Sequence, residues 1–188
     1  MRKTFLSALM VCLVAGLSTA GMIHIPGDHA TIQEGINAAS NGDTVLVADG
    51  DWSGTGNKNL DFAGRSIVVM SENGPETCTI NCLNSGQGFY FHTNETTDAV
   101  VEGFTITGGN STYGGGIRID NASPSIKHCI IRNNNGSYGG GMYLNGANPL
   151  IARCTIVNNT ATNGGAIYFT SSSPTITSNI ISGNSASG

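Results

Sequence analysis

Gly139-Gly140-Gly141-Met142-Tyr143-Leu144-Asn145 has a counterpart on either side, Gly114-Gly115-Gly116-Ile117 before it and Gly164-Gly165-Ala166-Ile167 after it, each at an offset of 25 residues. The same offset joins Pro124, Pro149 and Pro174, then Ile126, Ile151 and Ile176. It also joins Ile106, Ile131, Ile156 and Ile181, and Asn134, Asn159 and Asn184. Several registers that agree on one period without an insertion mark a stacked repeat architecture, in which each unit buries its apolar face only against its neighbours.

Within one unit the apolar residues alternate: Ile117 with Ile119, Met142 with Leu144, Ile167 with Phe169, then Ile126 after the proline, and Cys129 with Ile131. A period of two means strands with one face buried. Three short strands separated by turns rich in Gly, Asn and Ser are therefore expected in each 25-residue coil. Coils in register place equivalent side chains about 4.8 Å apart, so they form ladders.

One inward ladder reads Phe104, Cys129, Cys154, Asn179. Parallel in-register stacking points the two Cβ vectors the same way, so Cys129 and Cys154 are expected as reduced, buried thiols. Cys78 and Cys82 on one strand would stand about 13 Å apart, too far to bridge. Asn134, Asn159 and Asn184 are expected at corners, in left-handed backbone, with each amide bonded to the copies above and below.

The pattern continues less strictly toward the N-terminus, through Val45 and Val47, Leu60 and Phe62, Ile67 and Val69, Cys78 and Ile80, Phe89 and Phe91, then Val101, Phe104 and Ile106. Ahead of it, Thr31 and Glu34 form a capping box, and Ile32, Ile36 and Ala39 share one helical face. A solenoid needs its open end covered, and this helix is placed to cover it. At the start, Arg2 and Lys3 precede an apolar run from Phe5 to Leu17 and the small residues Ser18-Thr19-Ala20, the pattern of a secretion signal. The expected organisation is a signal peptide over 1–20, an N-terminal segment with a capping helix over 21–42 and the solenoid over 43–188. Export to the cell surface or beyond follows from the signal. The next glycine cluster would begin at position 189, so further coils or a C-terminal anchoring domain are expected beyond residue 188.

With 27 glycines, 11% charged residues and a net charge of −4, the chain suits short strands and turns. The eight basic residues are scattered, which argues against nucleic acid or an anionic membrane surface as partner. No segment after the leader is apolar and long enough to span a bilayer.

The run Ala30-Thr31-Ile32-Gln33-Glu34-Gly35-Ile36-Asn37-Ala38-Ala39, leading to Gly42-Asp43-Thr44-Val45-Leu46-Val47, resembles the opening of exported bacterial proteins of the pectin-lyase-like superfamily. Cys129-Ile130-Ile131-Arg132-Asn133-Asn134 and Cys154-Thr155-Ile156-Val157-Asn158-Asn159 look like its repeat units. The resemblance implies an all-β fold, a right-handed parallel β-helix solenoid, and right-handed crossovers are also the general rule. Gly164-Gly165-Ala166-Ile167 is similar to the glycine motif of chlamydial polymorphic outer membrane proteins, although Cys stands here where that family's companion motif begins with Phe.

Enzymes of the superfamily cleave acidic polysaccharides with clustered carboxylates, calcium and an Arg or Lys base, or with paired aspartates. Between residues 103 and 188 the sole carboxylate is Asp120. The earlier acids mostly sit in turn-like contexts, with Asp49, Asp51 and Trp52 as one acidic-aromatic cluster. The histidines show no metal-ligand spacing, and neither metal nor cofactor is expected. The suggestive surface is an outward row of Arg118, Tyr143 and Tyr168, beside a second row of Asp120, Asn145 and Thr170. Stacked aromatics flanked by polar groups bind sugar rings, and they also stabilise neighbouring strands. The expected function is a non-catalytic adhesion or carbohydrate-binding module on a polysaccharide or cell-surface glycan. The alternatives are the N-terminal part of a polysaccharide lyase or glycoside hydrolase, and a structural spacer.

Overall fold

A computed structural model of the chain describes residues 20–188; the expected signal peptide, residues 1–20, lies outside them except for Ala20. The described chain is a parallel β-solenoid whose strands assemble into four sheets. Sheet 1 stacks Phe89–Phe91, Ile117–Asp120, Met142–Asn145 and Ile167–Thr170. Sheet 2, with seven strands, runs from Met22–Ile25 to Thr175–Thr177 along the whole molecule. Sheet 3 holds six strands, from Gly50–Ser53 to Ile180–Ser182, and sheet 4 holds Asn110–Tyr113, Asn135–Tyr138, Thr160–Asn163 and Ser185–Ala186. Ile117 pairs with Met142 and Met142 with Ile167, so the register advances one repeat per coil without slipping.

Each regular coil thus has four strands where three are expected from apolar alternation. The additional strand, Asn135–Tyr138 and its equivalents, is polar and carries no alternating apolar signal. Four left-handed residues turn each coil, one at each corner. They fall at Gly114 and Gly139, at Asn121, Gly146 and Ser171, at His128, Arg153 and Ser178, and at Asn133 and Asn158. Asn134 and Asn159, expected in that conformation themselves, lie one position later; the strain is taken by the preceding asparagine, and their own amides are left to point inward.

The glycine clusters are required by close approach of backbone. A Cβ on Gly140 would run into the carbonyl oxygens of Thr160 and Gly165. A Cβ on Gly116 would lie 2.6 Å from Gly141 O, and one on Gly141 2.5 Å from Ala166 O. Ala166 stands at the equivalent position one coil on.

Inside, Ile106, Ile131 and Ile156 are fully buried, as are Val45, Val69, Val101, Ile126 and Ile151. Phe62, Phe89, Phe91 and Phe104 fill the wider N-terminal half, with Phe62 and Phe91 edge to face at 4.9 Å. Helix Ile32–Ala38 caps this end: Thr31 and Glu34 close the capping box, Ile32 and Ile36 are buried, and Gly35 lies against Ile25 and Val45 of the first coils. The solenoid begins earlier than residue 43, because the alternating Met22–Ile25 pairs with Thr44–Val47 and founds sheet 2. In the last described coil the same ladders come to the surface, with Ile181 at 47% and Phe169 at 55% exposure.

At one corner the buried asparagines form a continuous amide column. Asn134 Nδ2 donates to Asn159 Oδ1 and to Ile106 O, both at 3.0 Å, and Asn134 N also donates to Asn159 Oδ1 at 3.0 Å. Asn159 repeats every bond one coil on, to Asn184 Oδ1 and Ile131 O. Cys78, Cys82, Cys129 and Cys154 are buried free thiols, as the ladder geometry suggests. Burial pushes Cys78 and Cys82 up to about 12. Burial, and after it the neighbouring Cys154 thiol, raises Cys129 well above the ordinary thiol range, and the Sγ atoms of Cys129 and Cys154 donate to backbone carbonyls.

Asn159→Ala strips the Asn134 backbone amide and the Ile131 carbonyl of their partners, and should lower unfolding free energy by about 3 kcal/mol in a denaturant titration. Gly140→Ala should cost about 2 kcal/mol or more by overpacking, while Ala166→Gly changes stability by less than about 1 kcal/mol. In a protein lacking residues 1–20, maleimide labelling at neutral pH should leave the native thiols largely unmodified and titrate four after denaturation.

Candidate functional site

Alternation along Ile117–Asp120 buries Ile117 and Ile119 and turns Arg118 and Asp120 outward. Parallel pairing then builds the expected row, since Arg118 aligns with Tyr143 and Tyr143 with Tyr168. The row extends further than expected. Arg118 also aligns with Tyr90, and the Leu60–Phe89 bridge places Asp61 next to Tyr90 in the preceding coil. The flanking row gains His92, which follows Phe91, the partner of Ile119; Asp120, Asn145 and Thr170 continue it.

Tyr113 and Tyr138, the last residues of two sheet 4 strands, complete the surface. Their rings stack on each other at 5.7 Å and reach over Tyr143 at 4.9 Å and Tyr168 at 5.2 Å. Tyr143 and Tyr168 lie parallel at 5.8 Å. Tyr143 is consequently only 8% exposed and acts as the packed centre of the cluster, whereas Tyr113 is 37% exposed. The 25-residue offset between Tyr113 and Tyr138 is visible in the sequence, but their place beside Tyr143 depends on the polar fourth strand.

Each charged side chain on this surface has at least one protein partner. Arg118 Nε donates to Asp120 Oδ2 at 2.7 Å, and its guanidinium lies 4.6 Å from the Tyr90 ring centre and 5.2 Å from that of Tyr113. Tyr90 Oη donates to the same Asp120 oxygen at 3.1 Å, while Asp120 Oδ1 is buried without a partner. His92 stacks on Tyr90 at 4.3 Å and meets Asp61 Oδ2 at 3.2 Å. Burial first, and then the Asp120 charge, raise the Tyr143 phenol; burial also raises Tyr90, whose phenol stays a donor.

Strand alternation sets Thr112 and Ser137 on the face of sheet 4 opposite to Tyr113 and Tyr138. There an open trough of about 580 Å³ crosses four coils. Its walls are Asn, Ser, Thr, Gly and Ala, with no ionisable side chain. Asn110, Asn135 and Thr160 bond to one another along it at 3.2 and 3.0 Å.

The other sequence candidates serve structure. Asp49 accepts from Asn73 and Thr77, Asp51 accepts from Asn81, and Trp52 Nε1 donates to Ala48 O. Glu95, one of the acids in turn-like contexts, is buried and accepts from the backbone amides of Gly64 and Thr93. Among the described residues no group of three or more His, Cys, Asp and Glu converges as a metal site.

No curated protein matches the sequence closely enough to lend it a role. The family model for right-handed β-helix regions matches residues 76–188, from just before the strand Cys78–Asn81 through the regular coils. Register, four-cornered coils and this match agree, and the chain belongs to the right-handed β-helix family.

Proposed function

We propose that this chain is an exported, non-catalytic carbohydrate-binding module that receives a glycan lengthwise along the tyrosine surface, in a secreted or cell-surface protein. The observation that carries the reading is the continuity of that surface. Aromatic rings or a guanidinium recur at every coil from Tyr90 to Tyr168, about 14 Å at the strand spacing of a parallel sheet, with Tyr113 and Tyr138 alongside. Such rings offer apolar faces for sugar C–H groups, and Asn145, Thr170 and the phenols offer hydrogen bonds to hydroxyls.

Both carboxylates on the surface already have protein partners, Asp61 with His92 and Asp120 with Arg118 and Tyr90. Each is held in place by those partners, with Asp120 Oδ1 buried, which supports binding over cleavage. Export is supported by Arg2 and Lys3 ahead of the apolar run from Phe5 to Leu17.

Replacing Tyr113 and Tyr168 together by alanine should weaken binding on a glycan array on the order of tenfold or more, with a modest fall in melting temperature and the fold retained by circular dichroism. An intact protein that binds no glycan before the substitutions would instead favour the spacer reading.

A further inference from the structure

We infer that the glycan taken by the tyrosine surface is uncharged, an inference that rests on the carbohydrate-binding reading above. An acidic sugar is recognised by a cation free to pair with its carboxylate, most effectively by a guanidinium in two-point contact. The one guanidinium on this surface is already offset by a carboxylate: Arg118 donates its Nε to Asp120 at 2.7 Å and lies against the rings of Tyr90 and Tyr113.

The remaining charges point the same way. Two carboxylates, Asp61 and Asp120, stand against the one guanidinium of Arg118. An incoming carboxylate would meet repulsion and lose its hydration without gaining a partner. The basic residues of the neighbouring strands, Lys127, Arg132 and Arg153, belong to sheets 2 and 3 and to the corners between them. What the surface does offer is matched to hydroxyl groups: protonated phenols, the Asn145 amide and the Thr170 hydroxyl. The trough on the other face of sheet 4 has the same character, with hydroxyls and amides and no ionisable side chain.

The test uses matched neutral and carboxylated polymers of one backbone, such as methyl-esterified against de-esterified polygalacturonate and β-glucan against its C6-oxidised form. The neutral member of at least one pair should bind tenfold or more tightly than its carboxylated partner, and raising salt from about 0.05 to about 0.5 M should leave that binding nearly unchanged. Asp120→Asn, which releases Arg118, and Thr170→Lys, which adds an exposed cation without touching the Arg118 network, should each raise affinity for the carboxylated member severalfold. Equal or tighter binding of the carboxylated member by the unaltered protein overturns the inference and leaves the carbohydrate-binding reading standing. Binding to no polymer of either kind overturns both. A folded Thr170→Lys protein with no gain toward the carboxylated member places the ligand elsewhere and overturns the inference as well.

Discussion

A buried amide column sets the rules for the rest of this molecule. Asn134, Asn159 and Asn184 must each face inward and meet the next at hydrogen-bond distance, because a buried amide without a partner costs about as much as a sizeable fraction of a domain's stability. That demand fixes the repeat length. A coil one residue longer or shorter would swing its asparagine out of line and leave two backbone groups of the adjoining coil unpaired. The left-handed corners at Asn133 and Asn158 and the glycine run that follows are the local geometry that keeps the column straight.

The interior tolerates little variation, so variation collects outside. Inward positions repeat isoleucine, valine and cysteine, while the outward row changes from Asp61 through Tyr90, Arg118 and Tyr143 to Tyr168. A solenoid scaffold offers each outward position a fixed address. At this set of addresses the chain has gathered aromatic rings and given each charged side chain a protein partner.

Much of this architecture is legible in the residues alone, and the parts that are not have identifiable causes. The isoleucine ladders, the capping box of Thr31 and Glu34, the buried thiols and the alignment of Arg118 with Tyr143 and Tyr168 are local or strictly periodic signals, and each has its counterpart in the structure. The fourth strand is not so marked, because Asn135–Tyr138 has no apolar face and is held by backbone pairing over glycine. Missing that strand hides Tyr113 and Tyr138 from the tyrosine surface. Tyr90 and Asp61 escape for another reason: loops of irregular length separate them from the regular coils, so only three-dimensional pairing reveals their alignment. Glu95 illustrates a third case, a carboxylate in a polar context whose burial is compensated by one local backbone amide, Thr93, and one distant one, Gly64.

Because successive regular coils are interchangeable in register, the length of this protein is quantised. Duplication or loss of one 25-residue segment at the level of the gene would join Gly to Gly and amide to amide across the new seam, with no loop to rebuild. Evolution can therefore lengthen or shorten the outward strip by single rungs, adding one ring or hydroxyl at a time without redesigning the core.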